Sequence, residues 1–298
     1  MIIPPYLKPG DTVAIVCTAR KFSPEDAKPA IALLESWGLK VQLGNTIGLD
    51  NCQLGGTDAE RVADFQAMMD DDRIKAIWCA RGGYGTVRII DALDFTRFKK
   101  QPKWIIGFSD VTVLHSQLNV EGIASLHAIM PFTVPKAPEA VKETLRKALF
   151  GEQITYIIPK KAYDIPGKAT GELVGGNISI LYSLLGSKSA ITTHGKILFI
   201  EDLDEYLYHI DRMMHNLKRN GYFENVQGII VGSMADMHDN EIPFGQSEVQ
   251  IITEIAKEYD IPIVFEFPAG HQTDNRTLIL GKQVDFEVNE KEIKLKFD

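Results

Sequence analysis

Cysteine is scarce: Cys17, Cys52 and Cys79 are the whole complement. Three thiols, odd in number and far apart, form no C-x-x-C pair and no Cys/His cluster. That excludes a disulfide framework and a structural zinc site. Each sits in or near an apolar run, so all three are expected to be buried free thiols. Long apolar runs are missing too, and none approaches the ~18 residues of a membrane span. The first residues, MIIPPYLKPG, contain early prolines but neither a basic patch nor an apolar stretch of the secretory kind. Positive charge is in deficit, with 32 Lys+Arg against 40 Asp+Glu, a net charge of −8 and a pI near 5.5. Non-specific nucleic-acid binding needs a basic face to displace counterions, so no nucleic-acid partner is expected. The expectation is a soluble, cytoplasmic chain with no membrane partner.

What is present reads as α/β. The chain has 298 residues, about twice a typical domain of roughly 100–200 residues, so two domains are expected. Thr12–Cys17, Ile74–Cys79 and Trp104–Ile106 are short apolar runs rich in β-branched residues, the pattern of strands buried on both faces. Val41–Leu43 is a weaker strand and Ile123–Ile129 a fifth. Between them, Ser23-Pro-Glu-Asp and Thr57-Asp-Ala-Glu open capped helices. Strands alternating with helices give a parallel sheet covered on both faces. After Pro131 the pattern changes. Pro131, Pro135, Pro138, Pro159 and Pro166 bracket one amphipathic helix, Ala137–Leu149, and an irregular stretch. The expected division is therefore 1–135, a linker over 136–168, and 169–298. Leu278–Phe297 alternates apolar and charged residues about Asn289-Glu-Lys and reads as an antiparallel hairpin.

The stretch richest in chemistry is Lys103–His115, KWIIGFSDVTVLH. An apolar strand runs into Gly107-Phe108-Ser109-Asp110 and then into a helix. A serine on such a turn has the nucleophile-elbow arrangement. The turn lifts the hydroxyl out of the sheet, and the next N–H, at a helix start, faces a developing oxyanion. Val111 stands where G-x-S-x-G has its second glycine. The competing reading is that Ser109 only caps the helix. Directly after another strand comes Arg81-Gly82-Gly83-Tyr84-Gly85. Its glycines would let the backbone approach a ligand closely. Neither G-x-x-x-x-G-K-[ST] nor G-x-G-x-x-G is present. The loop reads as a phosphate cradle, as a backbone donor loop beside the elbow, or as a tight turn that binds nothing.

A serine nucleophile needs a base. Of seven histidines, His271 lies in the loop Pro268–Asn275 just past the strand Ile263–Phe267, where a rigid scaffold can present it. The acid is suggested by Ile197–Ile200 followed at once by Glu201. A carboxylate at a strand's end is partly buried and needs a partner, and an imidazole N–H is a suitable one. Otherwise Glu201 begins a solvated acidic turn or pairs with Arg212. Asp202, Asp204 and Glu205 fit the solvated role better than Glu201. No histidine stands at ligand spacing to this acidic run, so no metal is expected.

Together these stretches resemble the L,D-carboxypeptidase family of serine peptidases, which includes the microcin C immunity proteins. The resemblance rests on Arg81–Gly85, Gly107–Asp110, Ile200–Glu205 with Tyr208–Arg212 behind it, Gly270-His271, and Gly171–Asn177. It implies a Ser109–Glu201–His271 triad with an oxyanion hole from the N–H groups of Gly83 and Asp110. Arg81 and Tyr84 are the candidate substrate contacts. It also implies a flavodoxin-like N-terminal domain, a smaller, mainly β (mixed) C-terminal domain, a homodimer and no cofactor. Two departures stand out: Phe108 where the family usually has tyrosine, and His127-Ala-Ile-Met-Pro131 where it tends to read His-Gly-Pro.

The substrate implied is the cytoplasmic murein tetrapeptide of peptidoglycan recycling, cut at the L,D bond to its terminal D-Ala. The alternative within the family is an immunity-type hydrolase of aminoacyl-sulfamoyl or phosphoramidate nucleotides. That activity needs an aromatic to stack on adenine. Trp37 and Trp104 read as core, Trp78 lies in a strand, and the loop Met234–Gln246 offers Phe244. A non-catalytic α/β ligand-binding protein, with Ser109 as a cap, is the reading from another class.

Overall fold

The computed structural model describes residues 1–298. The chain opens with β1 (Thr12–Val16), α1 (Pro24–Ser36), β2 (Lys40–Leu43), α2 (Asp58–Asp70), β3 (Ile74–Cys79), β4 (Trp104–Gly107), α3 (Thr112–Val120) and β5 (Ser125–His127). The Ser23 side chain accepts from the Asp26 N–H and starts α1, with Pro24 in the first turn. Thr57 and Glu60 cap each other's backbone at the start of α2. The five strands are parallel, in the spatial order β2-β1-β3-β4-β5. That is the flavodoxin-like order, with its switch point between β1 and β3. β4 is buried throughout, which is why its sequence is continuously apolar rather than alternating.

The second half runs α4 (Glu139–Phe150), β6 (Thr155–Pro159), β7 (Gly167–Asn177), α5 (Ile178–Ser183), β8 (Ile197–Leu203), α6 (Leu207–Arg219) and β9 (Gly228–Ala235). It continues with α7 (Glu248–Ala256), β10 (Ile263–Val264), β11 (Leu278–Leu280), β12 (Gln283–Val288) and β13 (Glu292–Phe297). Its sheet is ordered β10-β9-β8-β7-β12-β13-β6. The strands from β10 to β7 are parallel and the rest antiparallel, so this half is mixed. No helix is long and apolar enough to cross a membrane.

Three expectations need correction. Leu278–Leu280 is not part of the terminal hairpin. It is β11, which pairs antiparallel with β5 and closes the edge of the first sheet. Only Gln283–Phe297 forms the hairpin, because Gly281 turns the chain at φ +86° between the two. Leu278–Leu280 is continuously apolar and buried throughout, unlike the alternating strands of the hairpin. The proline-bracketed stretch is less irregular than expected, since β6 within it pairs with β13. Among the cysteines, Cys17 and Cys79 are buried, and burial pushes both thiols up to about 12. Cys52 is exposed instead, in a turn at φ +56°.

Parity along the strands explains how the halves join. Ile197 and Phe199 of β8, with Ile230 of β9, belong to one apolar cluster with Val13, Trp78 and Ile106 of the first sheet. Leu198, Ile200, Ile229 and Val231 point the other way, against Ile210, Met213 and Ile251 of α6 and α7. The largest core therefore lies between the two units and holds them as one frame. Within the second sheet the packing is tight at Gly175 of β7, whose φ is +130° and where a Cβ would lie 1.8 Å from the carbonyl oxygen of its β8 partner Phe199. Gly175→Ala is expected to cost about 3 kcal/mol or more. The check is a lower Tm in thermal unfolding. Its fall must exceed that of Gly186→Ala, where φ is +77° but nothing lies within 4 Å.

Candidate active site

The site forms where the carboxyl ends of both parallel strand sets converge. Ser109 follows β4 and has φ +62°, the strained backbone of an elbow. Its side chain makes no helix-cap bond, so the capping reading fails. The absent second glycine is also accounted for. Val111 packs on Gly107, where a Cβ would come within 2.8 Å of it, so one small residue suffices. His115 is a buried strut rather than a base. Its ring nitrogens lie 2.9 Å from the Gly107 carbonyl oxygen and 2.8 Å from Ser125 Oγ.

The glycine loop and the elbow are tied together. Asp110, buried beside Ser109, accepts from the Thr86 N–H at 2.9 Å. The buried Arg61 guanidinium donates to the carbonyls of Thr18 and Gly85, at 2.5 and 2.8 Å, bracing the loop against the turn after β1. Gly82 rests on Ser109, since a Cβ there would stand 3.3 Å from its Oγ. The Gly83 N–H makes no hydrogen bond within the chain. Tyr84 stands apart, exposed and beside Arg88.

Glu201 lies at the end of β8 on the same parity as Ile197 and Phe199, and so faces the first unit. Two residues of β9, Gly232 and Ser233, oppose it, a bulge of the kind that re-aims a side chain. A Cβ at Gly232 would lie 2.5 Å from the Ala269 carbonyl oxygen, and one at Gly270 2.7 Å from Glu201 Oε2. The loop carrying His271 is held by the Gly270 N–H donating to Asn275 Oδ1 at 2.9 Å. His271 Nδ1 is 2.6 Å from Glu201 Oε2, and Nε2 is 3.0 Å from Ser109 Oγ. A carboxylate only accepts, so Nδ1 carries the proton and Nε2 is free to accept from the serine hydroxyl. The imidazole side chain is 13% exposed and the carboxylate 0%.

Electrostatics poise the pair. Burial pushes the His271 pKa down, but the charge and hydrogen bond of Glu201, with Asp202 behind them, raise it above 6.5. Asp202 corrects the sequence reading: it is buried rather than part of a solvated turn. Burial first, then the Glu201 charge, pushes its pKa up to about 7. It accepts from Asn177 Nδ2 at 2.8 Å and from the Ser179 N–H at 2.9 Å, while the Asn177 N–H donates to Thr112 Oγ1 at 3.0 Å. This chain links α3, the helix after Ser109, to β8, the strand that carries Glu201. The signal for it was parity, since Asp202 continues the Leu198–Ile200 face. Asp204 and Glu205 do take the surface role, beside His238 and His209. Arg212 lies over the Tyr208 ring, not against Glu201.

A cavity of about 590 Å³ opens beside His271, walled by Phe108, Phe132, Lys136 and Thr273 among others. His127 is buried behind Phe108, with ring centroids 5.9 Å apart.

The chain matches the LD-carboxypeptidase N-terminal domain over residues 13–128 and the LD-carboxypeptidase C-terminal domain over residues 170–286. It belongs to the LD-carboxypeptidase family, and that membership supports serine hydrolase activity. A probable murein peptide carboxypeptidase of Bacillus subtilis is 36% identical over 97% of this chain and 92% of its own. The microcin C7 self-immunity protein MccF of Escherichia coli is 26% identical over 89% and 86%. The crystal structure of muramoyltetrapeptide carboxypeptidase from Oxalobacter formigenes superposes with a TM-score of 0.85 at 24% identity, covering 96% of this chain and 98% of that one.

A base at Nε2 must be neutral, so activity rises as pH climbs through the His271 pKa. The acid limb of kcat/KM is expected above pH 6.5. Glu201→Gln removes the charge that raises the pKa and leaves the desolvation that lowers it. The limb should move to lower pH while kcat drops by about 10³–10⁴-fold. A pH–rate profile with an unmoved limb contradicts the assignment.

Proposed function

We propose that Ser109, His271 and Glu201 act as a catalytic triad hydrolysing the L,D bond to the terminal D-Ala of murein tetrapeptides. The observation that carries this reading is the unbroken hydrogen-bond chain from Glu201 through His271 to Ser109, beside a cavity, in a chain of this family. Ser109 Oγ attacks the carbonyl carbon of the third residue while His271 Nε2 takes its proton. Glu201 holds the tautomer and stabilises the imidazolium, which returns the proton to the D-Ala nitrogen as the C–N bond breaks. Water activated by the same base then cleaves the acyl-enzyme and restores Ser109. The Gly83 and Asp110 N–H groups receive the oxyanion. The free Gly83 N–H and the Asp110 tether to Thr86 support that role.

In this reading the nucleophile belongs to residues 1–135 and the acid and base to 169–298, with 136–168 between them. The family resemblance adds a cytoplasmic homodimer working in peptidoglycan recycling, with no cofactor. The murein peptide is favoured because it is the substrate in the names of the Bacillus and Oxalobacter proteins. One observation favours the immunity-type reading: Phe132 is exposed on the cavity wall, where a nucleobase could stack.

Ser109→Ala is expected to lower tetrapeptide turnover by about 10⁴-fold or more. Release of D-Ala measured by mass spectrometry is the readout, and undiminished release rules out the triad. Parallel turnover of a murein tetrapeptide and an aminoacyl-sulfamoyl adenosine decides the substrate, and faster hydrolysis of the nucleotide overturns the preference stated here.

A further inference from the structure

Two guanidinium groups meet beside the nucleophile without a carboxylate to bind. Arg20 follows β1, and its side chain lies across the glycine loop, so that a Cβ at Gly83 would stand 2.6 Å from both Cδ and Nε. Arg81 follows β3 and lies over the Phe132 ring at 4.1 Å. β1 and β3 flank the switch point of the first sheet, the crevice where open α/β sheets receive ligands. Of the other eight arginines, six (Arg61, Arg73, Arg88, Arg97, Arg146 and Arg276) pair with a carboxylate, and Arg212 lies over Tyr208. Arg276, close to His271 in sequence, is thereby engaged by Asp274 at 3.0 Å. Arg20 and Arg81 make no ion pair. Burial and then the Arg20 charge press the Arg81 pKa down, and Asp26 offsets them only in part. Asp26 is itself engaged by the Ser23 hydroxyl at 2.7 Å. Two cations held close in a crevice favour an anion between them.

The reaction sets where that anion must sit. When a single residue is removed, its carboxylate carbon is only three bonds from the scissile carbonyl carbon, roughly 4 Å away at most. A receptor for it must therefore border the oxyanion donors. Arg20 lies on Gly83, and the neighbouring Gly82 lies on Ser109. We infer that Arg20 and Arg81 form the receptor for the substrate's C-terminal carboxylate and so set the preference for releasing one terminal residue. The inference rests on the reading of Ser109 as the nucleophile of a carboxypeptidase.

The test compares kcat/KM for a murein tetrapeptide ending in free D-Ala with the same peptide ending in D-alaninamide. The native enzyme is expected to prefer the acid by about 100-fold, the effect of losing charge-assisted hydrogen bonds. Arg20→Ala and Arg81→Ala should each cut that ratio by about tenfold or more. Arg20→Lys and Arg81→Lys, which keep the charge, should retain part of it. Using the ratio corrects for any fraction of a variant that fails to fold. A ratio within threefold of native in both alanine variants overturns the inference. So does a ratio that collapses in Lys136→Ala and survives in the arginine variants. If native enzyme leaves both peptides uncut, the proposed function itself fails, an outcome distinct from a preserved ratio.

Discussion

A carboxylate without solvent is the constraint around which this site is arranged. Glu201 has no exposed surface; its Oε2 is bonded to His271 and its Oε1 has no partner. An ion taken out of water costs several kcal/mol unless a close partner compensates. The surroundings serve to keep that one partner in place. The bulge on β9 makes room for Glu201, Gly232 and Gly270 let the backbone close over it, and Asn275 holds the loop that brings the imidazole. The hydrogen bond that stabilises the buried carboxylate thus orients the imidazole.

His271 and Ser109 come from different sheets, so their separation depends on how two units are joined. A shared apolar core does most of this, since Phe199 and Ile230 pack in one cluster with Val13, Trp78 and Ile106. Nearer the chemistry the join becomes polar and directional, through Thr112, Asn177 and Asp202. Asp202 is linked through Asn177 to Thr112 of α3, the helix after Ser109, while its charge raises the histidine's pKa. Geometry and proton affinity are coupled through the same buried carboxylate. On the other side Asp110 ties the elbow to the glycine loop and Arg61 braces that loop against the turn after β1, so Ser109 and the backbone beside it are positioned together.

Much of this was legible from local pattern. Capped helix starts, continuously apolar strands and the turn at Ser109 are short-range features, and the strand–helix alternation led to the parallel sheet. Reading failed where partners are distant in sequence. Leu278–Leu280 reads as part of the alternating terminal hairpin, yet it is continuously apolar, buried throughout and paired with β5, a neighbour that a strand's own sequence does not name. Asp202, in a run of acids, read as solvated, yet β8 is covered on both faces to that point and solvent begins only at Leu203. Arg20 carried no motif, and its position across Gly83 arises only from the adjacency of β1 and β3.

The sequence by itself determined most element types and the residues from which a serine, an acid and a base could be drawn, because spacing over a few residues acts directly through backbone sterics and burial. The family followed from the resemblance of several short stretches. Only tertiary structure brings the pair named by the resemblance together: Ser109 and His271 are 162 residues apart in sequence and stand 3.0 Å apart where the two sheets pack. It also decided which charges are buried and which arginines are left without a partner. Those outcomes depend on the sum of long-range contacts around each group, which no local stretch contains.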